Sequence, residues 1–157
     1  IFCYFLGRNK ACRDFAYQIK KKTGYKIVVL KHLDEYIEED DDFGDIAPAD
    51  IGPREFVNYI RYAKYVLTDS FHGTVFSILH HKQFMTFYRF RDSEKMSKNS
   101  RIDTLLQAMG LEKRLYEKDK KNAVKELIEK IDYTDVDEKL SILRDKSKQF
   151  LADALNA

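Results

Sequence analysis

The sequence predicts an α/β fold in which a parallel sheet carries helices on both faces. Three observations point there. Four short runs, Ile1–Leu6, Lys26–Leu30, Lys64–Leu67 and Phe84–Phe87, are apolar without alternation, as in strands buried on both sides. Amphipathic segments of helical length separate them, so each strand is reached by a crossover rather than by a hairpin. The 157 residues, 44% of them hydrophobic, suffice for one domain with a real core.

The elements follow in order. Ile1–Leu6 ends at Gly7, a strand running into a loop. Lys10 to Lys22 reads as a helix, with Phe15 and Ile19 on its inner face and Gly24 as its stop. Lys26–Leu30 is the second strand, which completes a strand–helix–strand unit. From Asp34 to Asp45, eight of twelve positions are acidic. That run lacks the regular ligand spacing of a calcium loop, so it reads as a solvated loop rather than a cation site. Gly52-Pro53 opens the next helix, whose stripe is Phe56, Val57, Ile60 and Ala63.

Lys64–Leu67 is followed at once by Thr68, Asp69 and Ser70, all helix-capping residues. From Phe71 to His81 the pattern is helical. A strand that turns straight into a helix leaves backbone N–H groups free at one point, a favourable place for an anion. His72 stands there and is the candidate for proton transfer. Spacing alone leaves the alternative open that it is an ordinary surface or capping residue. His80 and His81 end the helix and read as C-terminal cations.

Phe84–Phe87 is the fourth strand. Behind it a loop carries Arg89, Arg91, Lys95 and Lys98, at the strand end where open α/β sheets bind ligands. The cations there suit an anion, with a solvated basic loop as the plainer reading. Ser100 is placed to cap a helix running from near Arg101 to Gly110. Further helices are expected from Asp119 and from Thr134 to about Leu155, with Thr134 and Asp137 as a capping pair.

Composition narrows the function. The 28 basic and 26 acidic side chains leave a formal charge of +2, which gives no case for nucleic acid. No apolar run approaches a membrane span. Cys3 and Cys12, without C-x-x-C spacing, suggest buried thiols in a reducing compartment. The four histidines are too scattered for a metal site, and neither metal nor cofactor is expected. The expected location is cytoplasmic, with a peripheral position on the inner face of the membrane as an option. The sequence opens at Ile1 inside an apolar run, without signal peptide or initiator Met, and reads as part of a longer protein.

Gly52-Pro53-Arg54-Glu55-Phe56, Ala63-Lys64-Tyr65-Val66-Leu67-Thr68-Asp69-Ser70-Phe71-His72-Gly73, Phe84-Met85-Thr86-Phe87 and Asn99-Ser100-Arg101-Ile102 together resemble the C-terminal half of the polysaccharide pyruvyl transferase family. The resemblance covers Gly52 through Tyr116, and its most specific run is Thr68 to Gly73. It implies a Rossmann-like α/β domain over residues 1–157, similar to the C-terminal domain of two-domain GT-B-type transferases, with an N-terminal half-domain as its partner. It further implies transfer of a pyruvyl group from phosphoenolpyruvate to a sugar, giving a ketal. The acceptor would be a sugar or lipid-linked oligosaccharide in exopolysaccharide biosynthesis. His72 would be catalytic. Ser70, Phe71 and Gly73 at the helix start, with Arg89, Arg91 and Arg101, would hold the donor's phosphate and carboxylate. Two other functions fit the same residues: a glycosyltransferase with a nucleotide-sugar donor, and a non-catalytic scaffold or sugar-binding module.

Overall fold

The structure, a computed structural model, describes residues 1–31, 36–90, 99–117 and 121–156. Asp34 of the acidic run, Arg91, Lys95 and Lys98 of the basic loop, and the expected helix start at Asp119 lie outside the described residues.

Four parallel strands, β1 (Phe2–Tyr4), β2 (Val28–Leu30), β3 (Tyr65–Thr68) and β4 (Gln83–Thr86), lie in the order β2-β1-β3-β4. Cys3 sits opposite Val29 on one side and Leu67 on the other, and Leu67 in turn faces Met85. Among the described residues six α-helices flank the sheet: α1 (Lys10–Thr23), α2 (Pro53–Tyr62), α3 (Phe71–Leu79), α4 (Ser100–Met109), α5 (Ala123–Ile128) and α6 (Tyr133–Asn156). This is a Rossmann-like α/β architecture, as the apolar runs predict.

Successive strand side chains point to opposite faces, so the continuous apolar runs supply two cores at once. Ile1, Cys3, Phe5, Val29, Leu67 and Met85 pack beneath α1 and α5. Phe2, Val66 and Phe84 pack against α2, α3, α4 and the first turns of α6. Aromatic pairs key both layers: Phe2 stacks on Tyr59 with centroids 5.7 Å apart, and Phe15 meets Phe87 edge-on at 5.8 Å.

Four expectations need correction. The acidic run is not simply a solvated loop. Asp40 is buried and pairs with Arg13 of α1, Nη2 to Oδ1 2.6 Å. Asp45 accepts from the Ile27 amide at 2.7 Å. A partner 27 residues away, delivered by the helix, is invisible to local charge counting. Ser100 does not cap α4: Asn99 precedes the helix, makes no capping bond, and is used elsewhere. The first turn of α6 is held by Asp132, which accepts from the Thr134 amide at 2.9 Å, so Thr134 and Asp137 are not the pair. Asp137 instead meets His81 Nε2 at 2.9 Å, where His81 has left the helix with φ 51°. Beyond Leu140, every described residue of α6 is exposed, Phe150, Leu151 and Leu155 among them.

Candidate functional site

The chain leaves β1 toward β2 on one side and then crosses to β3 and β4 on the other. The reversal opens a crevice between the carboxyl ends of β1 and β3, the general ligand position in such sheets. Two strand-to-helix turns meet there. Residues 5–9 lead from β1 to α1, and Asp69 and Ser70 lead from β3 to α3.

The second turn is built by hydroxyls. Thr68 Oγ1 donates to the Tyr4 carbonyl at 2.7 Å and accepts from the Ser70 amide at 3.1 Å. Ser70, extended at the N-cap, accepts from the Gly73 amide at 3.3 Å. Thr74 donates to the Ser70 carbonyl at 3.0 Å, and its hydroxyl meets that of Thr86 at 2.8 Å. Gly73 is required by packing: a Cβ there would lie 2.5 Å from Thr68 Oγ1. These bonds fix the helix start while leaving the amides of Phe71 and His72 ahead of any carbonyl that α3 could offer them.

A cavity of about 340 Å³ opens at this point. It is lined by Leu6, by Asp69, Ser70, Phe71 and His72 of the β3–α3 turn, and by Arg89, Phe90, Asn99 and Arg101. His72 is exposed on the rim, its ring edge-on to Phe71 with centroids 5.8 Å apart. The Arg101 guanidinium stands 5.2 Å from the centre of the Phe71 ring, and that of Arg89 5.3 Å from Phe90. Two cations and a helix N-terminus thus converge on a space beside an imidazole, an arrangement fit for a small polyanion.

Of the sequence candidates, Ser70, Phe71, His72, Arg89 and Arg101 line the same cavity. Gly73 stands behind it, its amide spent on Ser70. Arg91 lies outside the described residues. Sequence reasoning missed two residues. Asp69, only 3% exposed, accepts from the amides of Leu6 and Gly7 at 2.7 and 2.8 Å, and burial pushes its carboxyl above the usual carboxylate range. Asn99 brackets Phe90, donating to its carbonyl at 2.9 Å and accepting from its amide at 3.4 Å. A polar residue that local structure leaves unexplained was the signal in both cases.

A larger cavity, about 560 Å³, lies at the opposite, amino ends of the strands. It is lined largely by apolar and tyrosine side chains such as Phe2, Tyr25 and Tyr59, without the convergent amides and arginines of the crevice. The smaller cavity is therefore the candidate site. Among the described residues, no cluster of three or more His, Cys, Asp or Glu is placed to hold a metal, and no helix is long and apolar enough to cross a membrane.

Comparison with known proteins gives one match. A family model described as polysaccharide pyruvyl transferase fits residues 1–89, more than half of the chain and all four strands. No curated protein and no solved structure matches.

Proposed function

The chain belongs to the polysaccharide pyruvyl transferase family, and from that premise we propose that the crevice between β1 and β3 binds phosphoenolpyruvate and delivers its pyruvyl group to a sugar. The observation that carries the reading is the convergence of the α3 N-terminus, Arg89 and Arg101 on one cavity with His72 at its rim. The donor bears a phosphate and a carboxylate. The amides of Phe71 and His72, with Ser70 holding their turn, take the first; a guanidinium takes the second.

His72 gives a proton to the donor's methylene carbon as a sugar hydroxyl attacks the adjacent carbon, and it recovers a proton from that hydroxyl. A second hydroxyl of the same sugar then displaces the phosphate, whose departure carries off the remaining proton. The product is a cyclic ketal with a methyl group. The sugar approaches from the open rim, where in a two-domain GT-B-like enzyme a second half-domain would complete the acceptor site. A sugar or lipid-linked oligosaccharide of a cell-surface polysaccharide fits this reading.

The test is made on the full-length protein. Phosphoenolpyruvate should raise its melting temperature where nucleotide sugars do not. His72→Ala should lower turnover by about 10²–10⁴-fold, the usual contribution of a general acid, with donor affinity and melting temperature nearly unchanged. Full turnover in that variant overturns the catalytic role of His72. A shift with nucleotide sugars alone overturns the donor.

A further inference from the structure

We propose that Asp69 is a positioning residue of the donor site: its carboxylate ties the β1–α1 turn to the β3–α3 turn and sets Arg89 in the cavity wall. The proposal rests on the donor reading above. Its own support lies in contacts that reach out of the motif. The Thr68 hydroxyl reaches the Tyr4 carbonyl at the end of β1, while those of Ser70 and Thr74 serve the start of α3. Asp69 serves a turn more than sixty residues away, accepting from Leu6 and Gly7 at separations of 63 and 62.

Gly7 shows how tightly the parts meet. A Cβ on it would lie 3.0 Å from Asp69 Oδ2 and 3.3 Å from Arg89 Cγ. Any side chain at this position would therefore press on both the carboxylate and the arginine stem. The backbone around Arg89 is bracketed too. The Tyr88 hydroxyl donates to Asp103 of α4, and Asn99, 7% exposed, holds Phe90 through both its amide and its carbonyl. The Arg89 stem thus lies against Gly7, whose amide Asp69 holds. The carboxylate also occupies the two amides that the β1–α1 turn would otherwise turn toward an anion. The donor phosphate is thereby directed to the α3 N-terminus.

The test uses Asp69→Asn, which keeps the shape but sets an amide NH₂ against one of the two backbone N–H groups. In the full-length protein without ligand, nuclear magnetic resonance follows the Gly7 amide and the Arg89 Nε–H. Calorimetry then follows phosphoenolpyruvate binding well below the melting temperature. Both signals should move together, and donor affinity should fall about tenfold per folded molecule, as for a lost charge-assisted hydrogen bond. A lowered melting temperature with the Arg89 signal in place, or with donor affinity unchanged, overturns the proposal and leaves Asp69 a strap for the fold. If the wild-type protein does not bind phosphoenolpyruvate, the donor reading fails. The ligand-free signals then decide alone: Arg89 moving with Gly7 upholds the positioning role, and Arg89 unmoved ends it.

Discussion

Two strand-to-helix turns lie side by side at the carboxyl end of this sheet, and they treat their polar groups in opposite ways. The β1–α1 turn is closed. Leu6 and Gly7 give their amides to Asp69, Asn9 caps Ala11, and Arg13 donates to the carbonyls of Gly7 and Asn9, both at 3.2 Å. The β3–α3 turn is open. Ser70 caps only Gly73, and Phe71 and His72, the first two residues of α3, line the cavity. The same local motif is thus either scaffold or, in the proposed reading, binding surface, according to whether other side chains consume its donors. In this protein the closed turn is the frame that holds the open one.

Breaking the closed turn should therefore have the largest effect on stability. Arg13 is buried, pairs with Asp40, and lies 5.6 and 5.8 Å from the ring centres of Phe5 and Phe43. Arg13→Ala strands the Asp40 carboxylate in a buried position, an error that costs about 3–5 kcal/mol. Denaturant unfolding should show it, and the double variant Arg13→Ala/Asp40→Ala should recover part of the loss.

In the open turn the next largest effect is expected at Gly73. An alanine would drive α3 away from Thr68, at about 1–3 kcal/mol for overpacking. Turnover should fall with stability, because the displaced helix start is the proposed binding surface for the donor. Ser70→Ala is milder, about 1 kcal/mol for a lost N-cap, with weaker donor binding as its distinctive sign. Equal stability losses but unchanged donor affinity in both variants would erase the contrast between the turns.

The smallest effect is on pH dependence, and it sharpens the role of Asp69. Its folded pKa is raised, chiefly by burial, against the opposing pull of the two amides and of Arg89 and Arg13; the Cys12 thiol of α1 also lies nearby. The native state therefore binds more protons than the unfolded chain between the two pKa values. The stability this group contributes is greatest below its unfolded pKa and declines as pH rises through the folded value. In Asp69→Asn that decline should vanish, so the stability difference between wild type and variant should widen on mild acidification. A difference that is flat with pH contradicts this expectation.

Much of this was legible in the residues. The four apolar runs became four parallel strands, each shifted or trimmed by a few residues at its ends. Capping chemistry located the start of α3 at Ser70–Phe71, and the motif residues Ser70, Phe71 and His72 share one cavity with Arg89 and Arg101. The acidic run misled, since its composition suits solvent while Asp40 is a buried partner of Arg13. The capping pair assigned to Thr134 and Asp137 misled for a similar reason, because Asp137 is engaged by His81, 56 residues earlier.

Local residue pattern is enough for whatever depends on neighbours within a helical turn or on strand periodicity: the element types, their order, the two-faced core and the cap at Ser70. Tertiary structure decided which polar groups are spent and which remain available. Asp69 finds Leu6 and Gly7, Arg13 finds Asp40, and Asn99 holds Phe90 beside the cavity. The first two of those pairings join separate parts of the chain across more than twenty positions. A hydrogen bond needs its donor and acceptor within about 3 Å, and for such residues only the crossover topology of the sheet supplies that proximity.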